Sequence, residues 1–275
     1  MKSILKLFIL IISLNVSSLY ASKVDTVLTY SPSMKKSIKA VVITPDTYTK
    51  TEKMPVLYLL HGYSGKYDNW TLHMPNINYL ADQYQFIVVC PDGNYGSWYF
   101  DSPIDSTFRY ETYVAGELIQ WVDKNYKTIK NRSGRAISGL SMGGHGALYL
   151  AFRHQDVFGA CGSMSGGVDI RPFPNNWDLS KRLGEQRSYP QNWENNTVIN
   201  QLHLLTPKSL NIIFDCGTED FFYPVNVRLH EELTYRNIPH DFISRPGQHN
   251  REYWNNAVKY QAQFFSDFFK SSEKI

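Results

Sequence analysis

The sequence predicts an α/β fold, with an open and mostly parallel β-sheet that carries helices on both faces. Short runs that are apolar throughout, such as 55–60 (PVLYLL), alternate with longer segments of helical spacing. Wholly apolar strands are typical of a sheet covered on both faces, and alternation with helices is typical of parallel strands joined by crossovers. The length of 275 residues suits one large domain, and the sequence shows no internal repeat. We therefore expect a single domain over 22–275.

The predicted strands and helices follow in chain order. The first two strand-like runs flank a Ser-Pro-Ser turn and predict a hairpin at an edge of the sheet. Strands are predicted at 24–30, 37–44, 55–60, 86–90, 136–139, within 157–164, at 210–215 and at 240–244. Helices are predicted at 77–83, 110–126, 143–153, 225–236 and 250–269. Because ligands bind at the carboxyl ends of strands in such sheets, we expect a site among the loops that follow Leu60, Cys90, Gly139, Asp215 and Ser244.

The stretch 168–206 breaks this alternation. It is rich in Asn, Pro, Trp and charged residues, and it lacks the periodicity of a strand. We interpret it as a small insertion, or lid, that packs over one end of the sheet and therefore over the expected site.

The N-terminal residues predict a targeting segment. Lys2 and Lys6 precede an apolar run at 7–14, and small residues follow up to Ala21. This order is typical of a secretory signal peptide, here 1–21 with cleavage after Ala21. The apolar run is too short for a stable membrane anchor, and an uncleaved helix at the membrane surface is the alternative. We therefore expect a secreted or periplasmic protein.

Charge and cysteine spacing exclude several classes of partner. The formal net charge is +3 and the basic residues are scattered among acids, so no nucleic-acid partner is predicted. Cys90, Cys161 and Cys216 lie in apolar runs, as buried thiols do. A disulfide between Cys161 and Cys216 stays open, and it would require their strands to be neighbours. The sequence has no CxxC or HExxH motif, and we predict no metal site.

The sharpest motif is Gly139-Leu140-Ser141-Met142-Gly143, which fits G-x-S-x-G. It stands after a short apolar strand and before a helix, where a strained turn can expose a nucleophilic hydroxyl. Small residues on either side of the serine let strand and helix pack closely, and the helix N-terminus favours negative charge. We interpret Ser141 as a nucleophile; the alternative is a tight turn of purely structural use.

A nucleophilic serine needs a base that is oriented by a third group. With this motif the chain order is Ser, then Asp or Glu, then His. His249 follows the last predicted strand in a turn-rich loop and is our candidate base. Asp220 follows the preceding strand and is our candidate acid, with Asp215 and Glu219 as rivals. The alternative for Asp220 is a helix cap.

Three other histidines are expected to have structural roles. His61 precedes the loop after the first buried strand and is interpreted as scaffold. His145 lies on the helix after Ser141, and His240 begins the last strand.

The tetrahedral intermediate of acyl transfer needs preorganised N–H donors. The residue after the nucleophile, Met142, is expected to supply one backbone N–H. The loop after the first buried strand, His61-Gly62-Tyr63, allows a close backbone approach, and Tyr63 N–H is expected to be the second donor.

Six segments resemble the esterase D-like family of α/β-hydrolases, which includes feruloyl and acetyl-xylan esterases, tributyrin-type esterases, S-formylglutathione hydrolases and mycolyltransferases. They stand in the same order as in the family over nearly the whole chain after the predicted signal. They are 58–65 (YLLHGYSG), 91–103 (PDGNYGSWYFDSP), 110–126 (YETYVAGELIQWVDKNY), 139–151 (GLSMGGHGALYLA), 215–223 (DCGTEDFFY) and 246–254 (PGQHNREYW).

The resemblance implies an α/β-hydrolase fold and a triad of Ser141, Asp220 and His249. It also implies an oxyanion hole formed by the amides of Tyr63 and Met142, and a reaction that needs no cofactor. Gln248 stands where glycine is common in the family, and 168–206 matches no family segment, which leaves the substrate open.

The resemblance and the signal segment together predict an extracytoplasmic serine esterase. The expected substrate is a small-molecule or polysaccharide ester, with feruloyl or acetyl groups on plant-type polysaccharide favoured. Trp98, Tyr99, Trp177 and Trp193 are expected to stack on substrate or, alternatively, to pack in the core or lid. A short-chain carboxylesterase, an acyltransferase to a sugar, a peptidase or thioesterase, and a non-catalytic carbohydrate-binding protein are the alternative functions.

Overall fold

The structure is a computed structural model that describes residues 22–74 and 76–272. The predicted signal segment 1–21, with its cleavage point after Ala21, lies outside the described residues. Eight strands are present among the described residues: β1 (Lys23–Ser31), β2 (Lys36–Thr44), β3 (Val56–Leu60), β4 (Ile87–Pro91), β5 (Arg135–Gly139), β6 (Ala160–Met164), β7 (Asn211–Gly217) and β8 (Asp241–Arg245). They form one sheet in the order β1-β2-β4-β3-β5-β6-β7-β8.

The sheet is antiparallel at one edge and parallel elsewhere. β1 and β2 form the predicted hairpin, β2 runs antiparallel to β4, and the remaining neighbours pair in parallel. The carboxyl ends of β3, β5, β7 and β8 therefore meet at one edge of the sheet. This confirms the predicted mostly parallel α/β architecture, and it places the loops after these strands side by side.

Helices cover both faces of the sheet. They are α1 (Asn69–His73), α2 (Asn76–Tyr84), α3 (Tyr110–Thr112), α4 (Leu118–Asn125), α5 (Met142–Arg153), α6 (Leu179–Leu183), α7 (Pro190–Asn195), α8 (Tyr223–Tyr235) and α9 (Arg251–Ser272). The segment predicted as one helix at 110–126 is interrupted by a π-turn at Tyr113–Glu117, which joins α3 to α4. Within residues 22–74 and 76–272, no helix combines the length and the apolarity needed to cross a membrane.

The apolar strands are explained by two cores, one on each face of the sheet. Val56, Tyr58 and Leu60 of β3 point into the core that α4 and α5 cover. Leu57 and Leu59 point into the core that α2 and α9 cover. Because successive side chains of a strand alternate between faces, β3 is apolar at every position, as the sequence pattern indicates.

The segment 168–206 packs against the first of these cores. It contains α6, α7 and a 3₁₀ helix at Val198–Leu204, and no strand. Its buried apolar side chains belong to the same cluster as the sheet face, and they include Val168, Ile170, Leu179, Leu183, Trp193 and Val198. The segment is therefore anchored by burial rather than laid loosely on the surface. Its interpretation as a lid stays a prediction.

The three cysteines are buried and free. β6 and β7 are neighbours, as a disulfide between Cys161 and Cys216 would require, but their register places Cys161 opposite Ile212 and not opposite Cys216. The structure thus decides against that disulfide. Burial raises the pKa of all three thiols well above its usual value, so they are held as neutral, unreactive thiols.

Candidate active site

The turn between β5 and α5 holds Ser141 in a strained conformation. Its φ of 55° and ψ of −117° lie outside the regions that L-residues ordinarily occupy. A Cβ on Gly139 would lie 2.5 Å from the carbonyl carbon of Gly143, and a Cβ on Gly143 would lie 2.4 Å from the carbonyl oxygen of Leu60. The turn can therefore close only with glycine at both positions. The Ser141 N–H donates to the carbonyl of Met164 at 2.9 Å, which fixes the turn to β6.

A continuous chain of hydrogen bonds joins the three predicted catalytic side chains. The Ser141 hydroxyl lies 2.9 Å from Nε2 of His249, and Nδ1 of His249 lies 2.8 Å from Oδ2 of Asp220. With hydrogen on Nδ1, the imidazole donates to the carboxylate and accepts from the serine. This is the geometry of a nucleophile, a base and an orienting acid. The structure brings all three together, and their catalytic roles stay predictions.

The pairing of β7 with β8 explains how residues 29 positions apart meet. The two strands are parallel and adjacent, with Gly217 opposite Arg245. Beyond them, the Glu219 N–H donates to the Gly247 carbonyl at 3.0 Å, so the two loops remain paired up to the site. Oδ1 of Asp220 also accepts from the Phe222 N–H at 2.8 Å, just before α8 begins. Asp220 therefore both fixes the start of that helix and contacts the base.

Aromatic rings hold the imidazole of His249 in place. The Phe221 ring lies 4.3 Å from it between centroids, and the ring of Trp254 meets it at 89° and 4.9 Å. The Asp220 side chain has no solvent exposure and that of His249 is 16% exposed. The hydrogen bond between them is therefore shielded from water, while Nε2 faces the cleft.

The rival acids do not reach His249. Glu219 is exposed and accepts a hydrogen bond from the side chain of Gln248 at 3.1 Å. Asp215 is fully buried in β7, where Nε2 of Gln261 donates to its Oδ2 at 2.7 Å.

Two of the histidines with predicted structural roles are bonded away from the triad. Nδ1 of His145 lies 3.2 Å from the carbonyl of Trp98 and its Nε2 lies 2.9 Å from that of Asn196. Nε2 of His240 lies 2.8 Å from Nδ1 of His230. Neither ring contacts Ser141.

Asp215 carries a prediction about stability and pH. Burial raises its pKa to about 7, against the opposing effects of the Gln261 hydrogen bond and the Arg245 charge. The folded state thus keeps a proton that the unfolded state, with a pKa of about 3.9, has lost, and stability falls as pH rises towards 7. Asp215→Asn has no carboxyl to ionise at this position, so its stability does not fall for this reason as pH rises. The free energy of unfolding of the variant, relative to wild type, should rise by roughly 3 kcal/mol between pH 5 and pH 8.

Urea unfolding at both pH values measures this difference. Asp267→Asn is the control, because Asp267 is exposed on α9 and its replacement should leave the difference nearly constant with pH. A constant difference for Asp215→Asn as well would mean that Asp215 is already ionised at pH 5 in the folded protein.

Two backbone N–H groups point to an oxyanion hole at the positions that the sequence predicts. Met142 is the first residue of α5, so its N–H has no acceptor within the helix. Among the described residues the backbone N–H of Tyr63 likewise donates to no other backbone group. The loop that carries Tyr63 lies against the turn that holds Ser141, since a Cβ on Gly62 would be 3.3 Å from Cβ of Ser141. The geometry is consistent with the predicted pair, whose role stays a prediction.

Buried polar contacts fix the loop that carries Tyr63. The Gly93 N–H donates to Nε2 of His61 at 2.8 Å, so Nδ1 of that ring carries the hydrogen and donates to the Gly62 carbonyl at 2.8 Å. Burial lowers the pKa of His61, which keeps the ring neutral in this arrangement. The Tyr99 hydroxyl donates to the His61 carbonyl at 3.1 Å. His61 is therefore scaffold, as the sequence indicates.

The triad opens into a cleft of about 480 Å³ that includes Ser141, His249, Trp177, Phe221 and Trp254 in its lining. The expectation that four aromatics would contact substrate needs correction, because Trp98, Tyr99 and Trp193 are 1%, 0% and 0% exposed. Their rings fill the core instead. Tyr99 supports the loop that carries Tyr63, and the indole N–H of Trp193 donates to the Gly184 carbonyl at 3.0 Å.

Trp177 is the only one of the four aromatics that reaches the cleft. Its ring stacks on that of Phe221 at 5.5 Å between centroids and 21° between planes. Phe221 is 48% exposed, and it was not among the predicted substrate contacts, although it follows the candidate acid directly. The two near-parallel rings form an apolar side of the cleft beside His249.

The described residues hold no group of three His, Cys, Asp or Glu side chains arranged to bind a metal ion. The side chains and backbone groups that do meet at the site are a hydroxyl, an imidazole, a carboxylate and two amides. These are the groups needed to attack a carbonyl and to stabilise an oxyanion.

Comparison with known proteins connects this geometry to one family. Residues 31–264 match the family model described as "Putative esterase". An esterase of Mycobacterium tuberculosis is 36% identical over 134 residues; the match covers 47% of this chain and only 29% of that protein. An acetyl esterase of Caldicellulosiruptor saccharolyticus is 27% identical over 270 residues, with 89% of this chain and 97% of that protein covered. The solved structure of a ferulic acid esterase superposes with a TM-score of 0.79 at 28% identity, covering 91% of this chain and 99% of that one.

Proposed function

The chain belongs to the esterase family that this model describes, and from that premise we propose that it is a serine esterase that hydrolyses carboxylic esters through an acyl-enzyme. The observation that carries the proposal is the continuous set of hydrogen bonds from Ser141 through His249 to Asp220, at 2.9 Å and 2.8 Å. Ser141 stands on a strained turn, and it lines a cleft. A strained serine bonded to a buried His–Asp pair lowers the stability of the fold, and nucleophilic catalysis explains its presence.

The proposed reaction has two acyl-transfer steps. His249 takes the proton of Ser141 as the hydroxyl oxygen attacks the ester carbonyl, and then gives that proton to the leaving alcohol. Water, activated by the same imidazole, attacks the acyl-enzyme and releases the acid. Asp220 stabilises the imidazolium and keeps hydrogen on Nδ1. The N–H groups of Tyr63 and Met142 stabilise the negative oxygen of each tetrahedral intermediate.

For the substrate we propose an acyl ester of a carbohydrate, with feruloyl or acetyl as the acyl group. The apolar side of the cleft formed by Trp177 and Phe221 supports this choice, because aromatic surfaces suit an aromatic acyl group or the face of a sugar. The relatives named as acetyl esterase and ferulic acid esterase support it further. The predicted signal segment supports an extracytoplasmic location. A short-chain carboxylesterase would use the same machinery on smaller esters.

The segment 168–206 is proposed to shape the substrate side of the cleft. It supplies Trp177, and the buried side chains around Trp177 hold that ring against Phe221. One side of the cleft thus comes from the segment 168–206, whereas the triad stands on loops outside it. Variation in this segment would change substrate choice without moving the triad.

Phe221 carries a prediction about specificity. Phe221→Ala should lower kcat/KM for methyl ferulate about 10-fold, because loss of a stacking partner costs about 1–1.5 kcal/mol. It should change kcat/KM for p-nitrophenyl acetate less than about 3-fold, because an acetyl group has no ring to stack on Phe221. Tyr235→Ala is the matched control, since Tyr235 is 84% exposed and does not line the cleft. An equal fall for both esters would show that Phe221 acts by holding His249 rather than by contacting the acyl group.

The proposed function is tested with a panel of esters. Wild type and Ser141→Ala are compared on p-nitrophenyl acetate and butyrate, methyl ferulate and acetylated xylan. Turnover by wild type that is lost in the variant supports the esterase, and the preferred ester identifies the substrate class. Acyl transfer to an added sugar in preference to water would indicate a transferase. Binding to polysaccharide without any turnover would contradict the proposal in favour of a carbohydrate-binding protein.

A further inference from the structure

One cation lines the cleft beside the triad without a countercharge. Arg251 is the first residue of α9 and stands two positions after His249. Together with His73 and Asn69 of α1, it lines the same cleft as Ser141. None of the residues that line this cleft is an Asp or a Glu. The fixed charge among the side chains that line the cleft is therefore positive.

The guanidinium of Arg251 has few partners within the protein. Its Nη2 lies 3.3 Å from Nε2 of His73, an uncharged acceptor when the imidazole is neutral. Arg251 takes part in none of the ion pairs found among the described residues. The adjacent carboxylate, Glu252, lines a separate depression with Glu219 and Gln248. Most of the five N–H donors of the guanidinium therefore remain free for a ligand.

Arg251 is also badly placed for the stability of its own helix. A cation in the first turn interacts unfavourably with the helix dipole, which places partial positive charge at that end. The N-terminus of the 22-residue helix α9 and the guanidinium thus add their positive potentials at one side of the cleft, and Glu252 of the same turn offsets part of this potential from the side of the separate depression. An anion placed there would relieve this repulsion and would fit the fork of the guanidinium, which matches a carboxylate in bidentate fashion.

We infer that Arg251, oriented by His73, forms an anion subsite of the cleft and that the enzyme favours esters that carry a carboxylate near the scissile bond. The inference rests on the proposed esterase function and adds the charge of the substrate to it. The carboxylate belongs either to the alcohol half, as in a uronic acid that is acylated on a hydroxyl, or to the acyl half, as in a half-ester of a dicarboxylic acid. Both present the same group to Arg251.

Matched pairs of esters distinguish these two sources. Phenyl acetate is compared with 3-acetoxybenzoate and 4-acetoxybenzoate, in which the alcohol half bears the carboxylate. 4-Nitrophenyl hexanoate is compared with mono-4-nitrophenyl adipate, in which the acyl half bears it. In one of the two pairs the charged ester should have a higher kcat/KM than the neutral one. That pair identifies the half of the ester that contacts Arg251.

The variants are Arg251→Gln, which removes the charge, and Arg251→Lys, which keeps the charge without the fork. Lys259→Gln is the control, because Lys259 is exposed on the same helix and does not line the cleft. Arg251→Gln should lower kcat/KM for the favoured charged ester about 10-fold, mainly through KM, and should leave its neutral partner within about 2-fold. Arg251→Lys should retain part of the preference, and added salt should reduce the preference of wild type but not that of Arg251→Gln.

The outcomes separate this inference from the proposed function. Neutral esters cleaved at Ser141, with a charged-to-neutral ratio that Arg251→Gln does not change, would overturn the anion subsite and leave the esterase standing. An equal fall for neutral and charged esters would also overturn it, since Arg251 would then act on the geometry of His249. Inertness of wild type towards both the neutral and the charged esters would instead overturn the esterase, and the subsite with it.

Discussion

Ser141→Ala is expected to remove nearly all esterase turnover, with kcat for p-nitrophenyl acetate falling by on the order of 10⁵ or more. The hydroxyl is the atom that forms the acyl-enzyme, and no other hydroxyl is hydrogen-bonded to Nε2 of His249 among the described residues. The residual rate should reflect only binding and the oxyanion amides. Rates over background, with the variant at concentrations high enough to detect a slow reaction, measure this loss.

Ser165→Ala is the matched control for this loss. Ser165 is a buried serine that follows β6 at the same edge of the sheet, and it shares the positive φ of Ser141, with 51° against 55°. Ser165→Ala, like Ser141→Ala, removes a hydroxyl and keeps a Cβ on a backbone of positive φ, but Ser165 does not line the cleft, so kcat should stay within about 3-fold of wild type. If Ser141→Ala retained activity, or if Ser165→Ala lost as much, the nucleophile would be misassigned. Thermal unfolding of both variants shows that the fold persists.

The fold could be predicted from the sequence wherever a segment is buried on both sides. β3 to β7 are short and apolar because each lies between two cores, and a short run of that kind fits a buried strand better than an amphipathic helix or a surface strand. The helix α1, by contrast, spans only Asn69–His73 and is too short to show a period. The π-turn at Tyr113–Glu117 was missed for another reason: a single turn with i→i+5 hydrogen bonds between two α-helical segments leaves most of the helical pattern of apolar groups intact.

The triad could be predicted because its three members depend on local features of the chain. Ser141 stands in a glycine-rich turn, and Asp220 and His249 follow two strands whose pairing brings their loops together. The aromatic residues that line the cleft depend instead on which way each ring points. Trp98 and Phe221 are alike in sequence terms, yet one is 1% exposed and the other 48%. That difference arises from packing between distant segments.

Asp220→Asn is expected to lower kcat by about 10³–10⁴-fold while leaving the fold in place. Oδ1 of Asp220 accepts from the Phe222 N–H, so the carbonyl oxygen of an asparagine will take that position. Its NH₂ group then faces Nδ1 of His249, where Oδ2 now accepts. A donor at that point forces hydrogen from Nδ1 to Nε2, and the ring presents a donor to Ser141 where catalysis needs an acceptor. The loss should appear in kcat more than in KM.

Two neighbouring acids provide controls that make this result specific. Asp215→Asn removes a buried carboxyl from β7, the strand that precedes Asp220, and Glu219→Gln removes the acid next in sequence, yet neither side chain contacts His249. Both variants should keep kcat within about 3-fold of wild type at pH 7, although Asp215→Asn should differ in stability because the raised pKa of Asp215 is lost. A large loss for Glu219→Gln with little for Asp220→Asn would reassign the acid. Equal losses for all three would indicate that the loops after β7 and β8 had come apart, because only a change in backbone pairing would affect every acid alike.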